Sequence, residues 1–176
     1  MIVYLKNSVL YTIYLYGASL LALVMSILSY IVNAITRDEY IRTLFLVAIM
    51  IISMIITLYI IFYQSGYRRV SSHENYKKFE FLITVLITVA IHFIMALLLN
   101  FFPFLYLPIA YLGGLIVGNT DIDTISSLVN THFYIMILSY FIMMIPLVAT
   151  MILGFHKGMN NRQKDRTKTI SNKEKK

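Results

Sequence analysis

His92 is the one titratable residue deep inside a long apolar run, Phe81 to Phe102, which contains no Asp, Glu, Lys or Arg. An ionisable side chain at that depth is costly in a bilayer and is by default a functional candidate. Thr84, Thr88, His92, Ala96 and Asn100 recur every four residues, which predicts a slightly drifting polar and small stripe along one helix face. A stripe of this kind should avoid lipid and face a helix bundle. Two chemistries suit it. A neutral imidazole hydrogen-bonded to a hydroxyl or carbonyl of a neighbouring helix is a structural tie. A histidine lining a path is a proton relay or a ligand contact.

The remaining candidates are weaker. Met95 shares the His92 face, and Met50 and Met54 form an i, i+4 pair. Soft thioethers with an imidazole suit Cu(I), but methionine is equally a good packing residue, and no metal is expected. Asp121 and Asp123 begin an Asp-x-Asp-Thr run that lacks the glycine and the later glutamate of a calcium loop. His73, His132 and His156 fall where apolar runs end, and read as interface residues. There are no cysteines, so disulfides, thiol nucleophiles, iron–sulfur sites and cysteine zinc sites are excluded. No G-x-S-x-G, H-E-x-x-H or Walker motif occurs, and the apolar runs hold no paired carboxylates. The chain is therefore expected not to be an enzyme, with no catalytic residue and no cofactor.

Of 176 residues, 59% are hydrophobic and only 13% charged, with mean hydropathy +0.76. Soluble domains carry roughly 25% charged residues. The expected fold is all-α, a polytopic transmembrane helix bundle. Four spans are predicted, at about 8–35, 43–63, 81–102 and 132–155, together forming one domain over 1–155. The first is too long for the core of a signal peptide. Within it Ala18, Ala22, Ser26 and Ser29 share a face on which another backbone can approach closely. Tyr4, Tyr11, Tyr14 and Tyr16 suit a membrane interface, where a phenol keeps its hydroxyl wet. Thr36 to Arg42 is a short polar connection between antiparallel helices.

After the third span comes a short apolar segment, Pro103 to Gly118, with Pro103, Pro108 and a Gly113–Gly114 pair. Prolines there should break or kink a helix, and at sixteen residues it is short for a crossing. Two readings compete. A fifth crossing would put the basic loop and the basic tail on opposite faces. A re-entrant or interfacial segment packed on the bundle keeps them on one face, and is the one expected. In the last span Pro146 should bend the helix, with the Ser139 and Thr150 hydroxyls helping to satisfy freed carbonyls.

The net charge is +7. The loop from Gln64 to Glu80 holds Arg68, Arg69, Lys77 and Lys78, a basic set at the membrane surface able to meet anionic headgroups. Ser72 is placed there to cap a short helix. The tail, 156–176, holds eight basic residues against Asp165 and Glu174, and is expected to be disordered. Basic flanks mark the cytoplasmic side. Both termini are therefore expected in the cytoplasm, and the acidic Asp121 segment outside. The richness in Ile, Tyr, Asn and Lys suits an AT-rich bacterial gene, which places the chain in a plasma membrane.

The leading functional expectation is a non-enzymatic accessory or interaction protein, with the lipid bilayer, anionic lipid headgroups and a membrane protein or a second copy as partners, and no nucleic acid. The alternative is a small transporter or channel subunit in which His92 and the 103–118 segment line a path.

Overall fold

A computed structural model describes residues 2–28, 31, 36–69, 78–97, 107–118 and 133–174. Among these residues the structure is helical, with short connections and no strand. The elements are α1 (Ile2–Met25, continued by a 3-10 turn, Ser26–Leu28), α2 (Glu39–Arg69), α3 (Lys78–Leu97), α4 (Leu107–Val117) and α5 (Phe133–Glu174). Three of them, α1, α2 and α5, are long and apolar enough to cross a membrane, which points to a membrane protein. The apolar side chains turned outward, among them Ile13, Ile52, Leu86 and Ile145, make a surface that suits lipid.

Contacts fix the direction of each helix. Tyr11 packs on Phe62 at 4.8 Å between ring centroids, and the Ser19 hydroxyl lies 4.0 Å from the Met54 sulfur. Rising numbers in α1 meet falling numbers in α2, so the two are antiparallel. Ser8 meets Thr84 and Thr88, while Tyr16 meets His92, so α1 and α3 are parallel. Phe81 stacks flat on Phe155, centroids 3.9 Å apart, and His92 meets Tyr140, so α3 and α5 are antiparallel. It follows that α2 and α5 run the same way, and that the start of α1 and of α3 lie at the end where α2 and α5 finish.

Local chemistry explains the boundaries. Asp38 caps α2 by accepting from the Ile41 N–H at 3.2 Å, and Glu39 sits in the first turn, where a negative charge meets the positive end of the helix dipole. Pro108 does not break α4. It occupies the first turn, where a proline's missing N–H costs nothing. Gly118 ends the helix at φ 76°, a left-handed conformation that glycine adopts without strain. With 11 residues α4 is about 17 Å long. It packs on α5, with Gly113 facing Met136, Ser139 and Ile135.

Several expectations are corrected. α1 begins six residues before position 8, and α2 starts four residues before position 43. α2 also continues through Arg69, so 64–69 is helix rather than loop. The largest change is α5, which runs unbroken through 42 residues to Glu174, where a disordered tail was expected from His156. A charged segment cannot bury a core, but it can stay helical when one face has something to hold, and here that is the end of α2. Pro146 is accommodated within α5. Ser139 and Thr150 donate to the carbonyls four residues before them, Ile135 at 2.8 Å and Pro146 at 2.7 Å. Neither reaches the Ile142 carbonyl that the proline frees, because a helical hydroxyl bonds most easily to its own preceding turn. Tyr11, expected at a wet interface, is 1% exposed and lies among Tyr14, Phe62 and Phe81.

Candidate functional site

The polar stripe of α3 faces inward where it is described. Thr84 and Thr88 are fully buried and His92 is 1% exposed. The two threonines bind α1. The Ser8 hydroxyl donates to the Thr84 carbonyl at 3.1 Å, and Thr88 donates to its own Thr84 carbonyl at 2.8 Å and, more distantly, to the Ser8 carbonyl at 3.4 Å. A serine and two threonines thus join two helix backbones without any charged group. Asn100, the last stripe residue, lies outside the described residues.

His92 ties α3 to α5. Its Nδ1 lies 3.3 Å from the Tyr140 hydroxyl, and that hydroxyl donates to the Val89 carbonyl at 3.0 Å. With the phenolic proton committed to Val89, the Tyr140 oxygen accepts, which assigns the Nδ1–H tautomer to His92. Tyr16 closes the cluster from α1 at 5.3 Å between ring centroids, and Phe93 packs against Tyr140 at 5.1 Å. Three helices meet here around one imidazole. The thioether pair is packed into the bundle: Met50 and Met54 are buried, and Met54 faces Ser19. Asp121, Asp123, His73 and His132 lie outside the described residues, as does Ser72. Ala18 and Ala22 are fully buried, as the small-residue face requires.

About midway along α5 is a feature the sequence reading missed. Gly154, Gly158 and Gly66 line the contact between α2 and α5. A β-carbon on Gly154 would lie 2.8 Å from the Tyr59 carbonyl oxygen, one on Gly158 would overlap the Tyr63 carbonyl, and one on Gly66 would overlap the Phe155 carbonyl. The two backbones are in direct contact. Four-residue spacing of two glycines is the signal that finds this, since it puts both on one helix face.

Beyond the glycines, tyrosines continue the clasp. Tyr59, Tyr63 and Tyr67 stack in a row, each 6.3 Å from the next. Asn161 donates to the Tyr63 hydroxyl at 3.0 Å, and the Tyr67 hydroxyl donates to an Asp165 carboxylate oxygen at 2.9 Å. The Arg162 guanidinium lies over the Tyr67 ring, 5.1 Å from its centroid, a cation–π contact. Of the basic surface residues, Arg68 is exposed on α2 close to this clasp. Lys77 lies outside the described residues, and for Arg69 and Lys78 the backbone alone is described.

No family model, curated protein or solved structure matches the chain.

Proposed function

We propose that the chain is a four-crossing protein of a bacterial plasma membrane, with both termini in the cytoplasm, that acts as a non-enzymatic accessory subunit packing on another membrane protein. α3 supplies the fourth crossing. Its 20 residues reach about 30 Å, the thickness of a hydrocarbon layer, and it runs alongside both α1 and α5. α4, too short to cross, is a re-entrant element held against α5 and α2. With α2 and α5 parallel, the basic loop and the basic end of α5 share one side, in keeping with cytoplasmic retention of positive charge.

The observation that carries the accessory reading is the parallel pair of α2 and α5. The glycine contact closes the two helices at the edge of the predicted spans, and the tyrosine clasp carries the pair on as far as Asp165 as a braced helical post. A braced polar extension is costly to order unless something reads it. In the bundle itself, Ser8, Thr88, His92 and Tyr140 are used in ties between helices.

Native mass spectrometry of the protein extracted from its own membranes tests this. The reading predicts a second polypeptide bound to the 20.4 kDa chain. A lone monomer, or solute flux in proteoliposomes that His92→Ala abolishes, contradicts it.

A further inference from the structure

The post has one face that the bundle leaves open. Lys157, Lys164 and Lys168 are exposed, and none takes part in an ion pair among the described residues. At 3.6 residues per turn, their spacing of seven and then four residues sets them within about 40° of one another on α5. They form a line along the helix axis. Asp165, the one acidic residue between His156 and Ser171, is bonded to Tyr67 and does not offset the line. Asn160, Gln163 and Thr167 are exposed on the face beside it, adding uncharged donors and acceptors.

Three kinds of partner carry the opposite charge: lipid headgroups, nucleic acid and acidic protein. The clasp decides against the first. Asn161 on Tyr63 and Asp165 on Tyr67 hold this part of α5 alongside α2, so it cannot lie down on the bilayer. Counted from Phe155, the last large core side chain, Lys164 and Lys168 stand about 14 and about 20 Å further along the helix. Beyond a headgroup layer of about 5–7 Å, Lys168 stands further off than the ~8 Å over which a charge is felt at physiological ionic strength. Lys157, about 3 Å past Phe155, is at headgroup depth, so lipid alone cannot engage the whole line. Nucleic acid is disfavoured because no aromatic side chain occurs from Lys157 to Lys176 to stack on a base.

We propose that the Lys157–Lys164–Lys168 line is the docking face for an acidic helix of a protein partner, with carboxylates spaced at one and two turns. This rests on the accessory reading and names where and by what chemistry the partner is held. Lysines on a rigid helix match such a partner as a row of point charges, which sets register and approach more than raw affinity.

The test uses the full chain in neutral phosphatidylcholine nanodiscs and a fluorescent synthetic helix with glutamates at the matching spacing. The expected result is binding that weakens with salt and falls about tenfold in K157Q/K164Q/K168Q, the sum of three exposed pairs. The same substitutions lie away from the glycine contact, so unchanged thermal stability shows that the post is intact. Equal binding by the triple variant overturns the proposal. So does tighter binding of an oligonucleotide of equal charge, or quenching of a dye at position 168 by headgroup quenchers in phosphatidylglycerol discs. A lone monomer by native mass spectrometry with lysine-dependent peptide binding would remove the accessory subunit and keep the docking face. A stable partner whose association ignores the three lysines would do the reverse.

Discussion

Gly158 lies against the backbone of Tyr63, with no room for a β-carbon between them. Two helices more than ninety positions apart in the chain are therefore joined main chain to main chain. In a bilayer, apolar side chains gain little by leaving lipid for one another, so close backbone packing and interhelical hydrogen bonds carry more of the association. Both are present here at the same end of α2 and α5.

Gly158→Val should separate the pair, at a cost of about 2–4 kcal/mol. Reversible unfolding in mixed micelles measures it. Gly17 is the matched control, since a β-carbon there meets nothing within 4 Å. Gly17→Ala should be neutral or should stabilise by about 0.5–1 kcal/mol, because it restricts the unfolded chain and suits a helix. Equal effects at the two positions would mean that the backbone contact contributes nothing.

The tie between His92 and Tyr140 predicts a coupling energy. Tyr140→Phe removes the bond to the Val89 carbonyl and the acceptor for His92, and should cost about 1 kcal/mol, in the range of hydrogen bonds between membrane helices. His92→Ala should cost more, since it also leaves a cavity. In the double variant the losses should fall short of additive by about 0.5 kcal/mol, the part of the Tyr140 loss that depends on His92. Strict additivity would show that the two side chains are neighbours without interacting.

The clasp at Tyr67 should protect α5 from protease. Arg162 is half-buried over the Tyr67 ring and Asp165 is bonded to the Tyr67 hydroxyl. Tyr67→Ala should raise the rate of tryptic cleavage after Arg162 about fivefold, corresponding to ~1 kcal/mol less protection against local opening. An unchanged rate would mean that the end of α5 is helical without help from α2.

Much of the architecture is legible in residue order. The charge-free run from Phe81, the inward stripe of Thr84, Thr88 and His92, and the small face at Ala18 and Ala22 all follow from which groups lipid tolerates. The tie to Tyr140 was foreseeable in kind, as a partner hydroxyl, but not in identity, because a four-residue period names a face and not its neighbour. The end of α5 was misread for a related reason. Composition from Lys157 onward describes what the segment can bury by itself. What holds it as far as Asp165 is Tyr63 and Tyr67, ninety-odd residues earlier, which no local pattern connects to Asn161 and Asp165. Pro108 was read as a breaker when its place in the first turn of α4 makes it a starter.

The central claim is that α2 and α5 run parallel and finish together in the cytoplasm. The chain has no native cysteine, so single cysteines in place of Gln64 and Lys168, both exposed, report their location cleanly. With a membrane-impermeant maleimide, both should resist labelling in intact cells and both should label once the membrane is opened. Labelling of either position from outside intact cells would contradict the account.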